Sequence, residues 1–260
     1  MKQTKYVAYE VKDRIGYIIL DRPEKRNALN AELISELKEA FELAESDNNI
    51  KVIVLKANGK AFCAGADLES LKTMQKSTFD ENLQDSRNLM ELYKKIYTLR
   101  KVVIAQVEGH AIAGGAGLAT VCDFVFSVPE AKFGYTEVAI GFVPAIVSVF
   151  IIRKIGEAKA KELLLTGNII SAQKAADLNI FNFIENKENI EKSVSDFCQN
   201  LISKTSADSL TLTKQLIADV QSLSYDNGLN YAARINAKSR STDDCKKGIS
   251  AFLNKEKIVW

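Results

Sequence analysis

The 260-residue sequence contains one histidine, His110. Metal centres built from several imidazoles are therefore excluded, and only one residue could act as the base of a Ser-His or Cys-His nucleophile pair. An enzyme with this composition would depend on carboxylates and backbone N–H groups for its chemistry.

Several other features are missing as well. The four cysteines lack the CxxC spacing of metal and redox sites, and a chain of this length needs no disulfides, which predicts reduced thiols. The longest apolar stretch, residues 138–152, contains Gly141 and Pro144 and is shorter than the roughly 20 residues that span a bilayer. Residues 1–13 alternate polar and apolar side chains, unlike a signal peptide. We therefore expect a cytoplasmic protein with no membrane segment.

Charge of one sign is also lacking, because 35 Lys and Arg residues nearly balance 33 Asp and Glu residues, for a formal charge of +2. No basic stripe interleaved with aromatic residues is present, so nothing favours a nucleic-acid partner. What the sequence does have is apolar content, since 47% of its residues are hydrophobic. That is enough for a full core in one large domain.

Hydrophobic periodicity predicts an α/β fold with a helical C-terminal part. Residues 6–10 and 16–20 alternate apolar and polar side chains, as in an antiparallel hairpin. Asn30 precedes a helical apolar pattern and is predicted to be the N-cap of a helix ending near residue 47. Further strands are predicted at 51–56, 102–107, 123–128 and 180–183, and further helices at 80–99, 146–155, 157–165, 171–177, 189–203, 208–222 and 242–253, with a short one ending at 121.

Most of the 13 glycines lie between Gly59 and Gly141, where they cluster in two turns after predicted strands. The turns are Phe-Cys-Ala-Gly-Ala-Asp at 62–67 and Ala-Gly-Gly-Ala-Gly at 113–117. Glycine is unfavourable inside regular elements, so each turn predicts a close backbone approach and could present free N–H groups. Two inward N–H groups would form an oxyanion hole, although glycines that only permit close packing explain the pattern equally well.

Several motifs in this order resemble the signature of the crotonase (enoyl-CoA hydratase/isomerase) superfamily. They are Ala-Phe-Cys-Ala-Gly-Ala-Asp-Leu at 61–68, Gly-His-Ala-Ile-Ala-Gly-Gly at 109–115, Cys-Asp at 122–123 and Phe-Gly-Tyr-Thr-Glu at 133–137. The resemblance extends over nearly the whole chain, from Asp-Arg-Pro at 21–23 and Asn-Ala-Leu at 27–29 to Phe-Leu at 252–253.

The resemblance implies a fold and a reaction. It implies a spiral of ββα repeats at residues 1–200 that carries the acyl-CoA site. A helical region at 201–260 would follow, for oligomerisation and part of the CoA site, in a homotrimer or a dimer of trimers. It also implies an acyl-CoA thioester substrate whose carbonyl oxygen lies between the backbone N–H groups of Ala66 and Gly114. Such a site stabilises an enolate without histidine, metal or a cofactor other than the coenzyme A of the substrate.

The sequence departs from the family at one catalytic position. Many hydratases of the family position water with two glutamates, and Glu137 matches the second, whereas Gly117 stands at the first. Three functions therefore remain open. Glu137 alone could serve as base and acid of a hydratase, it could shuttle a proton in a double-bond isomerase, or the protein could be a non-catalytic acyl-CoA-binding or structural subunit.

The segment that follows Glu137 favours the first of these. Glu-Val-Ala-Ile-Gly-Phe-Val-Pro-Ala-Ile at 137–146 resembles the branch that hydrates 3-methylglutaconyl-CoA and related branched thioesters, in which a glycine at the position of Gly117 also occurs. We therefore expect a hydratase for a branched or glutaconyl-type enoyl-CoA, with a substrate carboxylate helping to order the water.

The resemblance also implies contacts with the substrate around the first turn and at both ends of the chain. These residues are Lys25 and Arg26 near the CoA phosphates, Ala28 beside the pantetheine or adenine, Ala64, Asp67 and Leu68 around the acyl-thioester turn, and Phe252 and Lys255 towards the nucleotide. Surface charge would explain the basic residues equally well. Asp67 could instead cap a helix, and Phe252 could serve packing.

Overall fold

The computed structural model describes residues 2–260, which form two β-sheets and a set of helices. In chain order the strands are β1 (Lys2–Gln3), β2 (Val7–Lys12), β3 (Ile15–Leu20), β4 (Val52–Ala57), β5 (Ala61–Cys63), β6 (Val102–Val107), β7 (His110–Ile112), β8 (Phe124–Ser127), β9 (Lys132–Gly134), β10 (Ile170–Ser171) and β11 (Phe183–Ile184). The larger sheet has the order β1-β2-β3-β4-β6-β8-β11, and the smaller one has the order β10-β9-β7-β5.

The chain passes between the two sheets in a repeating way. β4, β6 and β8 each lie in the larger sheet, and each is followed by a short strand, β5, β7 or β9, in the smaller one. β6 is buried along its whole length, as expected for an apolar, β-branched parallel strand covered on both faces. This succession of ββα units confirms the predicted fold class. It also places the ends of β5, β7 and β9 side by side.

The helices connect these units and then continue alone to the C-terminus. They are α1 (Ala31–Ser46), α2 (Leu68–Met74), α3 (Phe79–Thr98), α4 (Gly114–Val121), α5 (Ala145–Ile155), α6 (Glu157–Thr166), α7 (Ala172–Asp177), α8 (Ile190–Lys204), α9 (Ala207–Val220), α10 (Tyr225–Ser241) and α11 (Asp243–Asn254). The side chain of Asn30 accepts a hydrogen bond from Leu33 N, which confirms the predicted N-cap of α1. No helix of residues 2–260 is both long and apolar enough to cross a bilayer.

The opening hairpin is confirmed, and its turn explains the pairing. β2 and β3 are antiparallel with Lys12 opposite Ile15, so only Asp13 and Arg14 form the turn. Both have positive φ, 51° and 64°, as the two central residues of a tight hairpin turn require. The strand predicted at 180–183 was misplaced, because Ile180 and Phe181 donate to the carbonyl of Ala175 and close α7. The strand itself, β11, begins at Phe183.

Two helices were missed by the sequence patterns. α10 buries only Gly228 in this single chain, so no apolar stripe marks it as a helix. α2 is seven residues long and buries none of them. The predicted division at residue 200 falls within α8, which ends at Lys204.

The C-terminal helices are tied to the core by a buried lysine. Lys214 of α9 donates to Asp123 Oδ2 at 2.6 Å and to the carbonyls of Lys101 and Ile96 at 3.0 and 3.2 Å. All three of its donors are thus used, as burial of an ammonium group demands. The role of residues 201–260 in oligomerisation stays a prediction.

Candidate active site

Two backbone turns meet at the ends of the short strands. The first turn (residues 64–67) follows β5, and the second turn (residues 113–115) follows β7 and begins α4. At Gly65, where φ is +93°, an added Cβ would lie 2.9 Å from Ala113 Cβ and 3.6 Å from Gly114 N. A side chain at position 65 would therefore hold the turns apart, which is why glycine is needed there.

The first turn is fixed against the segment before α1. Leu29 N donates to Gly65 O at 2.7 Å, and Asp67 N donates to Leu29 O at 2.8 Å. In an extended segment successive N–H groups point to opposite sides, so the N–H of Ala66 is directed away from Leu29. Within residues 2–260, neither this group nor the N–H of Gly114 donates a hydrogen bond. The N–H groups of Ala66 and Gly114 are therefore unpartnered donors, and they belong to two turns that are in contact with each other.

The second turn contains a strained residue. Ala113, which precedes α4, has φ 50° and ψ −120°, a combination that residues with a Cβ rarely adopt. Such strain costs on the order of 1–3 kcal/mol and persists only where the surrounding structure fixes it. Ala113 N donates to Gly134 O at 2.8 Å, which ties the second turn to β9 and the segment that leads to Glu137.

Glu137 begins a 3-10 helix, Glu137–Ile140, just after β9. Its side chain is half-buried, and its Oε2 atom is buried without a hydrogen-bond partner among the described residues. Burial raises the pKa of Glu137 above its usual value. Its charge acts on Tyr93, whose pKa is raised well above the usual value, chiefly by burial. The raised pKa suits the carboxyl group to exchange a proton, and the hydrogen bond from Ala113 N to Gly134 O ties the second turn to the strand that leads to it.

Tyr93 of α3 occupies the space above Gly117. Its hydroxyl donates to the carbonyl of Gly114 at 2.5 Å, and its side chain is fully buried. A Cβ at position 117 would lie 2.6 Å from Tyr93 Oη and 2.6 Å from Val147 Cγ1. The sequence showed only that a second glutamate is missing at Gly117. The structure shows that the space for its side chain is filled by Tyr93 and Val147.

The sequence patterns missed Tyr93 because they described α3 as a polar helix. Its buried residues are Leu92, Tyr93 and Ile96, a narrow stripe in a helix of otherwise charged and polar side chains. A tyrosine in such a stripe needs a hydrogen-bond partner when buried. That requirement is the signal that could have identified it.

The residues predicted to contact the substrate near the first turn lie close to it. Ala28 is buried beside Leu29, and Ala64 N donates to the carbonyl of Arg26 at 3.1 Å. Lys25 and Arg26 are exposed, and Lys25 forms an ion pair with Glu69 at 3.3 Å. Their contacts with CoA stay predictions.

Asp67 and Leu68 differ sharply in environment. Leu68 is 75% exposed, whereas Asp67 is buried, caps α2 through the N–H of Glu69, and pairs with Arg22 Nη1 at 2.6 Å. Burial alone would raise the pKa of Asp67, but the hydrogen bonds from Glu69 N and Arg22 hold it below its usual value. Arg22 was missed by the sequence patterns, and Asp67 has the capping role that was considered for it.

Phe252 and Lys255 lie at the end of α11. Both are exposed, and α11 packs mainly against α9 and α10. The chain end is held near the β2–β3 turn, where Arg14 donates to the carbonyl of Trp260 at 2.9 Å. Their predicted contact with the nucleotide stays a prediction.

The histidine and cysteine nearest the turns have different environments: His110 lies in β7, whereas Cys63 directly precedes the first turn and lies against Gly115, where an added Cβ would be 2.7 Å from Cys63 Cβ. His110 is exposed, and its Nδ1 accepts from Lys132 N at 3.2 Å. Cys63 is fully buried, and burial raises its pKa to about 12, so the thiol stays protonated. A cavity of about 370 Å³ lies elsewhere, between α9 and the C-terminal end of α4, and does not include Glu137 or either turn.

Comparison with known proteins agrees with this arrangement. The family described as enoyl-CoA hydratase/isomerase matches residues 10–260. The chain belongs to the enoyl-CoA hydratase/isomerase family. The predicted membership of the crotonase superfamily is thereby confirmed.

Individual members of the family cover nearly the whole chain. A Thermus thermophilus protein named "Putative enoyl-CoA hydratase" is 40% identical over 244 residues, 94% of this chain and 96% of that protein. The 2,3-dehydroadipyl-CoA hydratase of Escherichia coli is 31% identical over 246 residues, 93% of each. The crystal structure of an enoyl-CoA hydratase from Shewanella pealeana has a TM-score of 0.93 at 29% identity, covering 99% of this chain and 97% of that one. These names support an enoyl-CoA hydratase-like function.

Proposed function

We propose that the protein adds water across the α,β double bond of an acyl-CoA thioester. In this proposal Ala66 and Gly114 donate their N–H groups to the thioester oxygen, and Glu137 transfers the proton. The observation that carries it is that two unpartnered backbone donors lie on turns in contact with each other, and that the second turn is hydrogen-bonded to the strand leading to Glu137, whose half-buried carboxyl group has an unpartnered oxygen.

The chemistry follows from these three groups. The Glu137 carboxylate accepts a proton from water while the water oxygen bonds to the β-carbon of the substrate. The electron pair of the double bond moves towards the thioester, where the two N–H groups stabilise the enolate oxygen. Glu137 then returns a proton to the α-carbon. Each oxyanion donor is worth about 3 kcal/mol, and a positioned acid–base group contributes about 10²- to 10⁴-fold.

A single carboxylate leaves one task unassigned, because many hydratases of the family orient water with two. We assign that task to a distal carboxylate on the substrate, as in 3-methylglutaconyl-CoA. Two observations support this choice: the filled space above Gly117 excludes a second glutamate, and a relative at 31% identity is named a hydratase of 2,3-dehydroadipyl-CoA, a thioester with a distal carboxyl group. No cofactor beyond the coenzyme A of the substrate is needed.

The assembly in this proposal is a homotrimer or a dimer of trimers. Exposed apolar side chains on α9 and α10, including Ile217 at 55% and Leu229 at 54%, leave these helices with uncovered apolar surface. A neighbouring subunit on this surface would bury it and would bring additional residues towards the CoA site.

A set of matched substrates tests the acyl group. We expect kcat/KM for 3-methylglutaconyl-CoA to exceed that for 3-methylcrotonyl-CoA, which has the same branch and no carboxylate, and that for crotonyl-CoA. Products are analysed separately for water addition and for a shifted double bond. A protein that hydrates crotonyl-CoA far better contradicts the substrate assignment, and a shifted double bond without hydration would make the protein an isomerase.

The variant Glu137→Gln tests the catalytic group. We expect turnover to fall by about 10²- to 10⁴-fold while acyl-CoA binding is retained. Glu130→Gln is the matched control, because Glu130 is an exposed glutamate outside the site. A wild-type protein that binds acyl-CoA but turns over none of the thioesters would instead be a binding subunit.

A further inference from the structure

The N–H of Gly114 can serve a substrate only if the peptide unit before it keeps an unfavourable orientation. That orientation is set by Ala113, whose φ of 50° and ψ of −120° are strained for a residue with a Cβ. Relaxation of Ala113 to an ordinary conformation would rotate the N–H of Gly114 away from that of Ala66. The geometry of the two donors therefore depends on contacts that hold both sides of this peptide unit.

Two hydrogen bonds hold it from outside α4. On the N-terminal side, Ala113 N donates to Gly134 O at 2.8 Å. On the C-terminal side, the hydroxyl of Tyr93 donates to Gly114 O at 2.5 Å. The first is a backbone bond that any residue could make, whereas the second depends on one side-chain hydroxyl.

Among residues 2–260, the side chain of Tyr93 makes one hydrogen bond, the one to Gly114 O. Its side chain is fully buried, and its ring packs edge-on against Phe150 with the ring centres 6.2 Å apart. Gly117 lies directly below, since a Cβ there would be 2.8 Å from Tyr93 Cζ. Burial raises the pKa of Tyr93 well above its usual value, which favours the protonated hydroxyl that donates this hydrogen bond.

We propose that Tyr93 is a positioning residue that fixes the Gly114 N–H as an oxyanion donor through its hydrogen bond to the Gly114 carbonyl. The proposal rests on the proposed function, because it gives that N–H its role. It extends that function to α3, an element that contributes no group to the reacting atoms.

The test removes only the hydroxyl, with Tyr93→Phe. Loss of an entire oxyanion donor costs about 10²- to 10³-fold in kcat, so a misaligned donor is expected to lower kcat by about 10-fold or more. KM is expected to change little, because contacts with the CoA nucleotide are not affected. The second readout is the red shift in absorption of bound 4-(dimethylamino)cinnamoyl-CoA, which reports polarisation of the thioester carbonyl and is expected to decrease.

The control is Tyr135→Phe. Tyr135 is also fully buried, and its hydroxyl is bonded to Thr120 Oγ1 at 2.6 Å, near the other end of α4. Both variants lose one buried hydroxyl contact with the same helix, so a comparable decrease in Tm is expected. Only Tyr93→Phe is expected to lose kcat and the red shift.

The outcomes separate this proposal from the proposed function. Wild-type kcat and red shift in Tyr93→Phe would overturn the positioning role, as would equal losses in both variants. If the wild type hydrates no thioester, the proposed function fails, and the red shift on binding still decides the role of Tyr93. A wild-type protein that gives no red shift overturns it too, because there would be no polarising donor to position.

Discussion

Gly117→Glu is the substitution that comparison with two-glutamate hydratases suggests for increasing activity, and the structure predicts the opposite. The new Cβ would lie 2.6 Å from both Tyr93 Oη and Val147 Cγ1, whereas carbon contacts are favourable at about 3.5–4.0 Å. Both neighbours are buried, Val147 with 4% of its surface exposed, so neither can move away into solvent. The variant is therefore overpacked from its first side-chain atom.

Overpacking of a buried site costs roughly 1–3 kcal/mol, and a chain of this size loses roughly 2–4 °C in Tm for each kcal/mol. We expect Gly117→Glu and Gly117→Ala to lower Tm by about 2–12 °C, by the product of these ranges. A decrease in Tm for Gly117→Ala would be informative, because Gly→Ala inside a helix otherwise stabilises a protein by about 0.5–1 kcal/mol. Displacement of Tyr93 should also release the Gly114 carbonyl, so turnover should fall with stability.

Thermal unfolding and initial hydration rates measure both effects. Gly228→Ala in α10 is the control, because its Cβ would meet Val220 Cγ2 at 3.1 Å, where a small side-chain rotation gives relief. Val147→Ala combined with Gly117→Ala should recover part of the loss, since it removes one of the two clashing side chains and leaves only Tyr93. A Gly117→Glu protein with wild-type Tm and faster hydration of crotonyl-CoA would refute the filled space above Gly117.

Two further predictions concern titratable groups. Burial raises the pKa of Glu137 above 4.5, and a catalytic base must be ionised. We therefore expect kcat/KM to fall as the pH decreases, with a midpoint above 4.5 in a pH–rate profile. A midpoint at or below 4.5 would contradict the role of Glu137 as the base. Asp67→Ala should destabilise the protein by about 3–5 kcal/mol in urea unfolding, because it leaves Arg22 buried without its partner. The pKa of Asp67 is lowered in the folded protein. The difference in free energy of unfolding between wild type and variant should therefore be full above the unfolded pKa, near 3.8, and disappear as the pH falls through the lower folded pKa. A difference that stays unchanged at that pH argues against the ion pair.

The sequence was most informative where one residue governs a local structure. Asn30 marked the start of α1 because its side chain satisfies a free N–H, and the apolar run of β6 marked a strand buried on both faces. α10 offered no such signal. Its side chains are mostly exposed in the single chain, so no local pattern records the surface on which it packs.

In the candidate site, too, some residues are marked by the local sequence and others are not. Spacing and resemblance were enough to select Glu137 and the two turns, because these lie in continuous motifs. Tyr93 lies in a different element, about twenty residues before Gly114, and reaches it only in the folded chain. Arg22 is likewise separated from Asp67 by 45 positions in the sequence. Contacts of this kind depend on how α3 and β5 pack, which no local pattern encodes.

Two local costs occur in segments joined by the hydrogen bond from Ala113 N to Gly134 O. Ala113 is strained, and Glu137 has a buried oxygen without a partner, although nearly all buried polar atoms in proteins are hydrogen-bonded. Neither feature favours folding, because backbone strain and a buried carboxylate oxygen without a partner both cost free energy. Glu137→Gln should therefore be at least as stable as the wild type at pH 7, because the amide has no charge to desolvate. A variant that loses turnover and gains thermal stability would show that these costs serve the reaction, whereas one that loses both would make Glu137 a structural residue.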